Sequence, residues 1–181
     1  MHHFIRSAEK TDLKTIINIE TASFPSGIQE NEAVFLDRIT TFPQGTFLFF
    51  ESEQADASGY FSSEIWDTIP PALPEYYELG HSASQRHNHK GSILYISSFA
   101  VLPSSRGGTG RFLFKESISK LCTQFPSLNR ITFIVHEDWL AARHIYETEG
   151  FEYTGTLPHF FNPIINSPDR NSNALIMEKK I

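Results

Sequence analysis

At 181 residues, with 40% apolar and 13% aromatic content, the chain carries enough hydrophobic material to close one core, which places it among soluble globular proteins and excludes a small disulfide-stapled scaffold. A net charge of −6 argues against nucleic acid or an anionic membrane as the main partner. The single cysteine, Cys122, can form no internal disulfide, MHHFIRSAEK at the start lacks a long apolar core, and no run approaches a spanning length, so a reducing, cytoplasmic setting is expected.

Residues 3–6 read as a short strand, and Thr11 or Asp12 opens a helix whose apolar positions Leu13, Ile16, Ile17 and Ala22 recur at helical spacing until Pro25 and Gly27 end it. A second helix is expected over 29–40, with Ala33, Leu36 and Ile39 inward. TFLFFES and SGYFSSEIW then read as two strands joined by the polar hairpin turn QADAS. Residues 67–92 break the rhythm with Pro70, Pro71, Pro74 and a polar, His-containing tail. Long irregular segments of this kind in a compact domain usually serve function or are disordered.

SILYISSFAV, 92–101, is the next strand, followed by a Gly-rich bend and a helix from about 109 to 124 that buries Phe114, Ile118, Leu121, Cys122 and Phe125. A strand over 129–136 and a helix over 138–149, ended by Gly150 as a C-cap, come next. FEYTGTLPHFF and NALIMEKKI complete the sheet, with the polar loop NPIINSPDRNSN between them. Helical crossovers favour parallel pairing in the middle of the sheet and hairpins favour antiparallel pairing outside it. The expectation is one α/β domain over 1–181, with a mixed sheet of about seven strands and helices on both faces.

SSFAVLPSSRGGTGRFLF, 97–114, turns from a strand through the bend directly into a helix. A helix starting at Gly108 or Thr109 offers unpaired N–H groups and the positive end of its dipole to an anion over the bend. Gly107, Gly108 and Gly110 let a phosphate approach the backbone where a Cβ would block it. The same residues also suit a plain strand-to-helix turn. The lysine and hydroxyl of G-x-x-x-x-G-K-S/T are missing, which ranks a phosphate-binding NTPase far lower.

The order of elements, FAVLPSSRGGTGRFLF and the later HEDWLAARHIYETEGFEYTG resemble the GNAT superfamily of acetyl-CoA-dependent N-acetyltransferases over nearly the whole chain. The later segment carries the pattern N/D-x-x-A-x-x-x-Y-E-x-x-G-F in Asp138, Ala141 or Ala142, Tyr146, Glu147, Gly150 and Phe151. Within the superfamily, TDLKTIINIETASFP, the pair Glu32 and Ala33, GYFSSEIWD and HSASQRHNHKGSILYISSFAV are most similar to the arylalkylamine (serotonin-type) N-acetyltransferases and their microbial relatives. Two departures stand out. The bend RGGTG is one residue tighter than the family's R/Q-x-x-G-x-G/A, so Ser105 or Arg106 takes the leading position. Tyr95 and Ser97 occupy the places where vertebrate serotonin-type enzymes carry two histidines.

The resemblance implies acetyl-CoA as cosubstrate, laid along the strand at Phe99, Ala100 and Val101, with its phosphates over Arg106, Gly107, Gly108, Thr109, Gly110 and Arg111. The backbone N–H of Phe99 would polarise the thioester carbonyl, and Tyr146 would give a proton to the departing thiolate. Freeing the lone pair of an alkylammonium at pH 7 costs about 4.6 kcal/mol, so a base or a water chain must help. Glu32, with Glu30 beside it, is the favoured base, and Ser97, Tyr95 and His136 form an alternative proton wire. Phe24, Tyr76, Tyr77 and Tyr95 are the substrate-pocket candidates, joined by the aromatics Trp66, Phe160 and Phe161. The long loop is expected to fold over the amine.

His81, His87 and His89 crowd one polar loop without a carboxylate or cysteine at ligand spacing, so they read as bystanders and no metal is expected. Cys122 reads as core, which leaves no acyl-carrying nucleophile. The resulting expectation is acetyl transfer by direct attack in a ternary complex onto a primary amine, with a small arylalkylamine or polyamine favoured. A non-catalytic acyl-CoA sensor and an acetyltransferase of protein or amino-acid amines are the alternatives. A homodimer joined through edge strands is compatible with the pattern.

Overall fold

Seven strands, β1 (Phe4–Ser7), β2 (Thr46–Phe50), β3 (Ala57–Trp66), β4 (Ile93–Val101), β5 (Arg130–His136), β6 (Glu152–Phe161) and β7 (Ser172–Lys180), join in one sheet of order β1-β2-β3-β4-β5-β7-β6. The computed structural model describes residues 3–162 and 171–181, and the polar loop expected before the last strand lies for residues 163–170 outside them. Every neighbouring pair of strands is antiparallel except β4 and β5, which run parallel because a helical crossover joins them. The helices are α1 (Leu13–Ser23), α2 (Glu32–Thr41), the single turn α3 (Ala83–Arg86), α4 (Thr109–Gln124) and α5 (Leu140–Thr148). The expected mixed α/β sheet with helices on both faces is what the chain forms, and among the described residues no helix is long and apolar enough to cross a membrane.

Alternation along the strands divides the core. Phe47, Phe49, Phe61 and Ile65 face α4 and α5, packing with Leu113, Phe114, Leu121 and Tyr146. Leu48 and Tyr60 face the other way, onto Leu13, Ile16 and Ile19 of α1 and Phe35 and Ile39 of α2. The second helix starts at Glu32 rather than residue 29, because the Asn31 side chain accepts the Val34 N–H at 3.2 Å and caps it there. Residues 67–92 are largely exposed and, apart from α3 and a 3-10 turn at Pro74–Tyr76, irregular, but they are anchored by Tyr77 and Ala83, both fully buried.

One irregularity in β4 positions the site. The pairing of β3 with β4 slips between Ser62 and Ser63, so that Ser62 faces Ser98 while Ser63 faces Ile96, leaving Ser97 as an extra residue. The side-chain alternation of β4 therefore reverses. Leu94 and Ile96 before the bulge and Val101 after it belong to the same core, although their positions differ in parity.

Candidate active site

Parallel pairing of β4 with β5 covers only Ile93, Leu94 and Tyr95 against Arg130, Ile131 and Thr132. Beyond Tyr95 the strands diverge, and the β5-facing backbone groups of β4 are left for a ligand. A solvent-open cleft lies in the gap, lined by Ile96, Ser97, Ser98 and Phe99 of β4, Phe133 to His136 of β5, and Tyr146. Its outer end is apolar: Phe24 at the end of α1 stacks on Trp139 at the start of α5, with ring centroids 5.5 Å apart, and Ile28, Leu79 and Phe161 continue the wall.

At the end of β4 the bend holds Gly107 at φ +125° and Gly108 at φ +109°, conformations that an L side chain resists. Open space surrounds both Cα positions, with nothing within 4 Å of an added Cβ. The first backbone bond of α4 runs from the Phe112 N–H to the Gly108 carbonyl at 3.1 Å, and the N–H groups of residues 106–111 donate to no backbone carbonyl among the described residues. Unpaired donors at a helix start are the kind of group that an anion can meet. Arg106 is exposed beside them. Arg111 is instead engaged by Glu149, with Nε 2.5 Å from the carboxylate.

Tyr146 projects from α5 between Phe114 and Phe133, with ring centroids at 5.0 and 4.6 Å. Burial pushes its phenol above the ordinary range, so it stays protonated at neutral pH. Among the described residues its hydroxyl has no hydrogen-bond partner, although the residue lines the cleft. Such a group is free to serve a bound molecule.

On the opposite wall a carboxylate is buried. Glu20 is 1% exposed, accepts the Glu30 N–H at 2.9 Å, and accepts a short hydrogen bond from the Tyr60 hydroxyl. Tyr60 in turn lies 2.6 Å from Ser98 Oγ. Desolvation raises the Glu20 carboxyl to about 7, against the lowering effect of the Tyr60 and Glu30 hydrogen bonds. Burial and the adjacent Glu20 hold the Tyr60 phenol well above its ordinary value.

A second buried group lies next to the first. Arg38 binds both oxygens of Glu30, one bond being 2.7 Å long, and its Nε stands 3.6 Å from Glu64. Burial works against the charge on Arg38, and Glu30 and Glu64 outweigh it. For Glu64, burial is likewise outweighed by His81, Arg38 and the Trp66 indole, which keep its carboxyl below the usual range. Through this group the long loop is fastened: the Gly80 N–H donates to Glu30 Oε1 at 2.8 Å, and His81 bonds Glu64.

Of the residues singled out in the sequence, Tyr146, Ser97, Phe99, Phe24 and the alternative wire member His136 line the cleft. Ala100 and Val101 are buried in the cores of opposite faces. Glu32 is not on the cleft. It is exposed in the first turn of α2, because the cap at Asn31 starts the helix there and turns this residue to solvent. Nor do Tyr76, Tyr77 and Tyr95 line it. Tyr95 precedes the bulge and stacks on Trp66 at 3.8 Å, Tyr77 packs beside both with its phenol pushed up to about 12 by burial, and Tyr76 lies under the Arg86 guanidinium. His87 accepts the Ile65 N–H at 3.0 Å and stacks on Phe42, and the described residues include no group of three or more potential metal ligands.

Glu20, Tyr60, Ser98, Leu79 and Trp139 were not legible as site residues. Only Glu20 left a signal: it sits at the helical spacing of Leu13 and Ile16, a charge on an otherwise apolar stripe.

No family model and no curated protein matches the chain. Its fold is nevertheless shared by solved GNAT-like structures. The loading GNATL domain of CurA from Lyngbya majuscula is 15% identical, with 99% of this chain and 98% of that one covered at a TM-score of 0.77. The GphF GNAT-like decarboxylase, solved in complex with isobutyryl-CoA, is 16% identical, with 98% of each chain covered at 0.75. Arabidopsis thaliana Naa50, in complex with the bisubstrate analogue CoA-Ac-MVNAL, is 17% identical, with 100% of each covered at 0.72. The chain has the GNAT fold, and that fold carries more than one reaction.

Proposed function

We propose that this chain is an acetyl-CoA-dependent N-acetyltransferase acting on a primary amine by direct attack in a ternary complex. The observation that carries the reading is the open strand pair, with a phosphate seat at one end and, beside it, a protonated tyrosine whose hydroxyl has no partner among the described residues. The N–H groups of residues 106–111 hold the pyrophosphate, and Arg106 adds charge. The free edge of β4 around Phe99 takes the pantetheine arm and polarises the thioester carbonyl. Tyr146 protonates the departing thiolate. Cys122 lies on α4, outside the cleft lining, with its thiol raised by burial, which disfavours a covalent acyl-enzyme.

The acceptor meets Phe24, Ile28, Leu79, Trp139 and Phe161. An arylalkylamine suits these walls through apolar and cation–π contact, better than a polyamine that needs several carboxylates, since Glu30 is already bound by Arg38. The test is free-thiol release from acetyl-CoA with a panel of arylalkylamines, polyamines, amino acids, aminoglycosides and short peptides. Release above hydrolysis with arylalkylamines is the expected result. Stabilisation by coenzyme A without thiol release from any amine would replace the enzyme with a sensor.

A further inference from the structure

We propose that Ser98, Tyr60 and Glu20 form a proton relay that takes the proton of the acceptor's ammonium out of the cleft, Glu20 being its terminal acceptor. The inference rests on the acyl-transfer reading of the cleft and supplies what that reading lacks, a base. Ser98 and Glu20 both line the cleft, on the wall opposite Tyr146. Between them the Tyr60 hydroxyl lies 2.6 Å from Ser98 Oγ and donates a short hydrogen bond to Glu20. The three residues come from β4, β3 and α1. Each hydroxyl has one donor and two acceptor positions, which is what a relay needs.

The step balances. The ammonium N–H passes its proton to Ser98 Oγ as Ser98 passes its own to Tyr60 and Tyr60 passes its own to the Glu20 carboxylate. The N–H bond breaks, an O–H bond forms on Glu20, and the nitrogen keeps the electron pair with which it attacks the thioester carbonyl. Neither hydroxyl carries net charge before or after, so the high phenol pKa is no obstacle to transit. Glu20 returns the proton to solvent by the reverse route once the uncharged amide leaves.

The surroundings keep Glu20 able to change charge near neutral pH. Tyr60 faces it from β3, Ser98 stands next along from β4, and the Glu30 N–H and carboxylate and the Arg38 guanidinium face it from α2 and the segment before it. Glu30 opposes its ionisation, and Arg38 favours it from behind Glu30. An acceptor held near the working pH is the most effective kind.

The experiment follows kcat and KM against pH for the parent chain, Glu20→Gln, Tyr60→Phe and Ser98→Ala, with whichever amine releases thiol. The parent's kcat/KM should rise and level off near neutral pH. In each variant kcat should fall at least about tenfold near pH 7 and keep climbing to about pH 9, as bulk base supplies the free amine. The KM for acetyl-CoA should stay within about twofold, since no relay member belongs to the phosphate seat. Coenzyme A stabilisation equal to the parent's establishes that each variant is folded. A second arm needs no turnover: the infrared band of a buried neutral carboxyl should titrate near neutral pH in the parent, vanish in Glu20→Gln, and shift in Tyr60→Phe. Variants that keep the parental pH profile, or a band that survives Glu20→Gln, overturn the relay alone. A parent that releases thiol with no amine overturns the acyl-transfer reading as well.

Discussion

The Glu64 carboxylate meets the His81 ring with both oxygens 3.0 Å from Nε2, and the ring's other nitrogen lies 2.9 Å from the Glu78 carbonyl. Both ring nitrogens thus face oxygens that only accept, which fixes the orientation of the ring. Because Gly80 is tied to Glu30, the segment carrying Leu79 is held to the buried ion group at two consecutive residues. His81→Ala should destabilise the fold by about 1–3 kcal/mol, the cost of leaving a buried carboxylate short of a partner. It should also raise the amine KM severalfold with the acetyl-CoA KM unchanged. Urea denaturation and steady-state kinetics check both. Leu79→Ala should reproduce the KM change without the stability loss.

Gly108→Ala tests the phosphate seat. An added Cβ meets nothing within 4 Å, so the only structural cost is the φ of +109°, about 1–3 kcal/mol. Coenzyme A binding, measured by titration calorimetry, should weaken about tenfold or more, because relaxation of the strain moves the donors. Unchanged affinity would return the bend to the role of a plain turn.

Tyr146→Phe keeps the ring between Phe114 and Phe133 and removes only the hydroxyl. Stability should change by less than about 1 kcal/mol, and coenzyme A affinity should hold. Turnover should drop about a hundredfold. Equal kcat in the two proteins would remove the acid from the mechanism.

Glu20 also writes a signature into stability. Its carboxyl is raised in the fold to about 7 from an ordinary value of 4.5, so the folded state binds the proton more tightly than the unfolded one. The stability tied to that proton is complete below about pH 4.5 and is lost as pH rises through about 7, on the order of 3 kcal/mol in all. Glu20→Gln cannot ionise and should lack this slope. Chemical denaturation at about pH 5 and about pH 8.5 reads the difference.

His87 acts with the opposite sign. Burial and His89 hold its imidazole down at about 4, so the neutral ring that accepts the Ile65 N–H contributes stability above the ordinary value of 6.5. That contribution is lost as pH falls through about 4. His87→Asn should flatten the acid limb of a melting-temperature profile, while an unaltered limb would assign acid sensitivity to other groups.

The order of elements was legible because each strand and helix carries its own period, and the open Gly-rich bend and the tyrosine of the cleft because each is local: a bend of glycines, a helix with a spaced pattern. The relay was not. Glu20, Tyr60 and Ser98 lie 40 and 38 residues apart and meet only once α1 packs on the sheet. Glu32 was expected as the base, yet the cap at Asn31 starts α2 there and leaves this carboxylate in solvent, whereas Glu20 of α1 is buried. The aromatic loop residues misled for a related reason. Tyr77 lies in an irregular segment, which suggests exposure, yet it is 1% exposed against Trp66 and Tyr95. Excising 70–88 would therefore take Tyr77 and Ala83 out of the core, and point changes at Leu79 are the better probe.

The extra residue at Ser97 makes strand length a determinant of chemistry. Deleting it would restore unbroken alternation in β4 with both halves of the strand on the faces they now occupy, Ile96 opposite Ser63 and Ser98 opposite Ser62. What would be lost is the irregularity itself, the extra backbone unit that lines the cleft between Ile96 and Ser98. A one-residue deletion here is thus a different event from any substitution at the same place: it straightens the strand where it lines the cleft and leaves both cores with the residues they have.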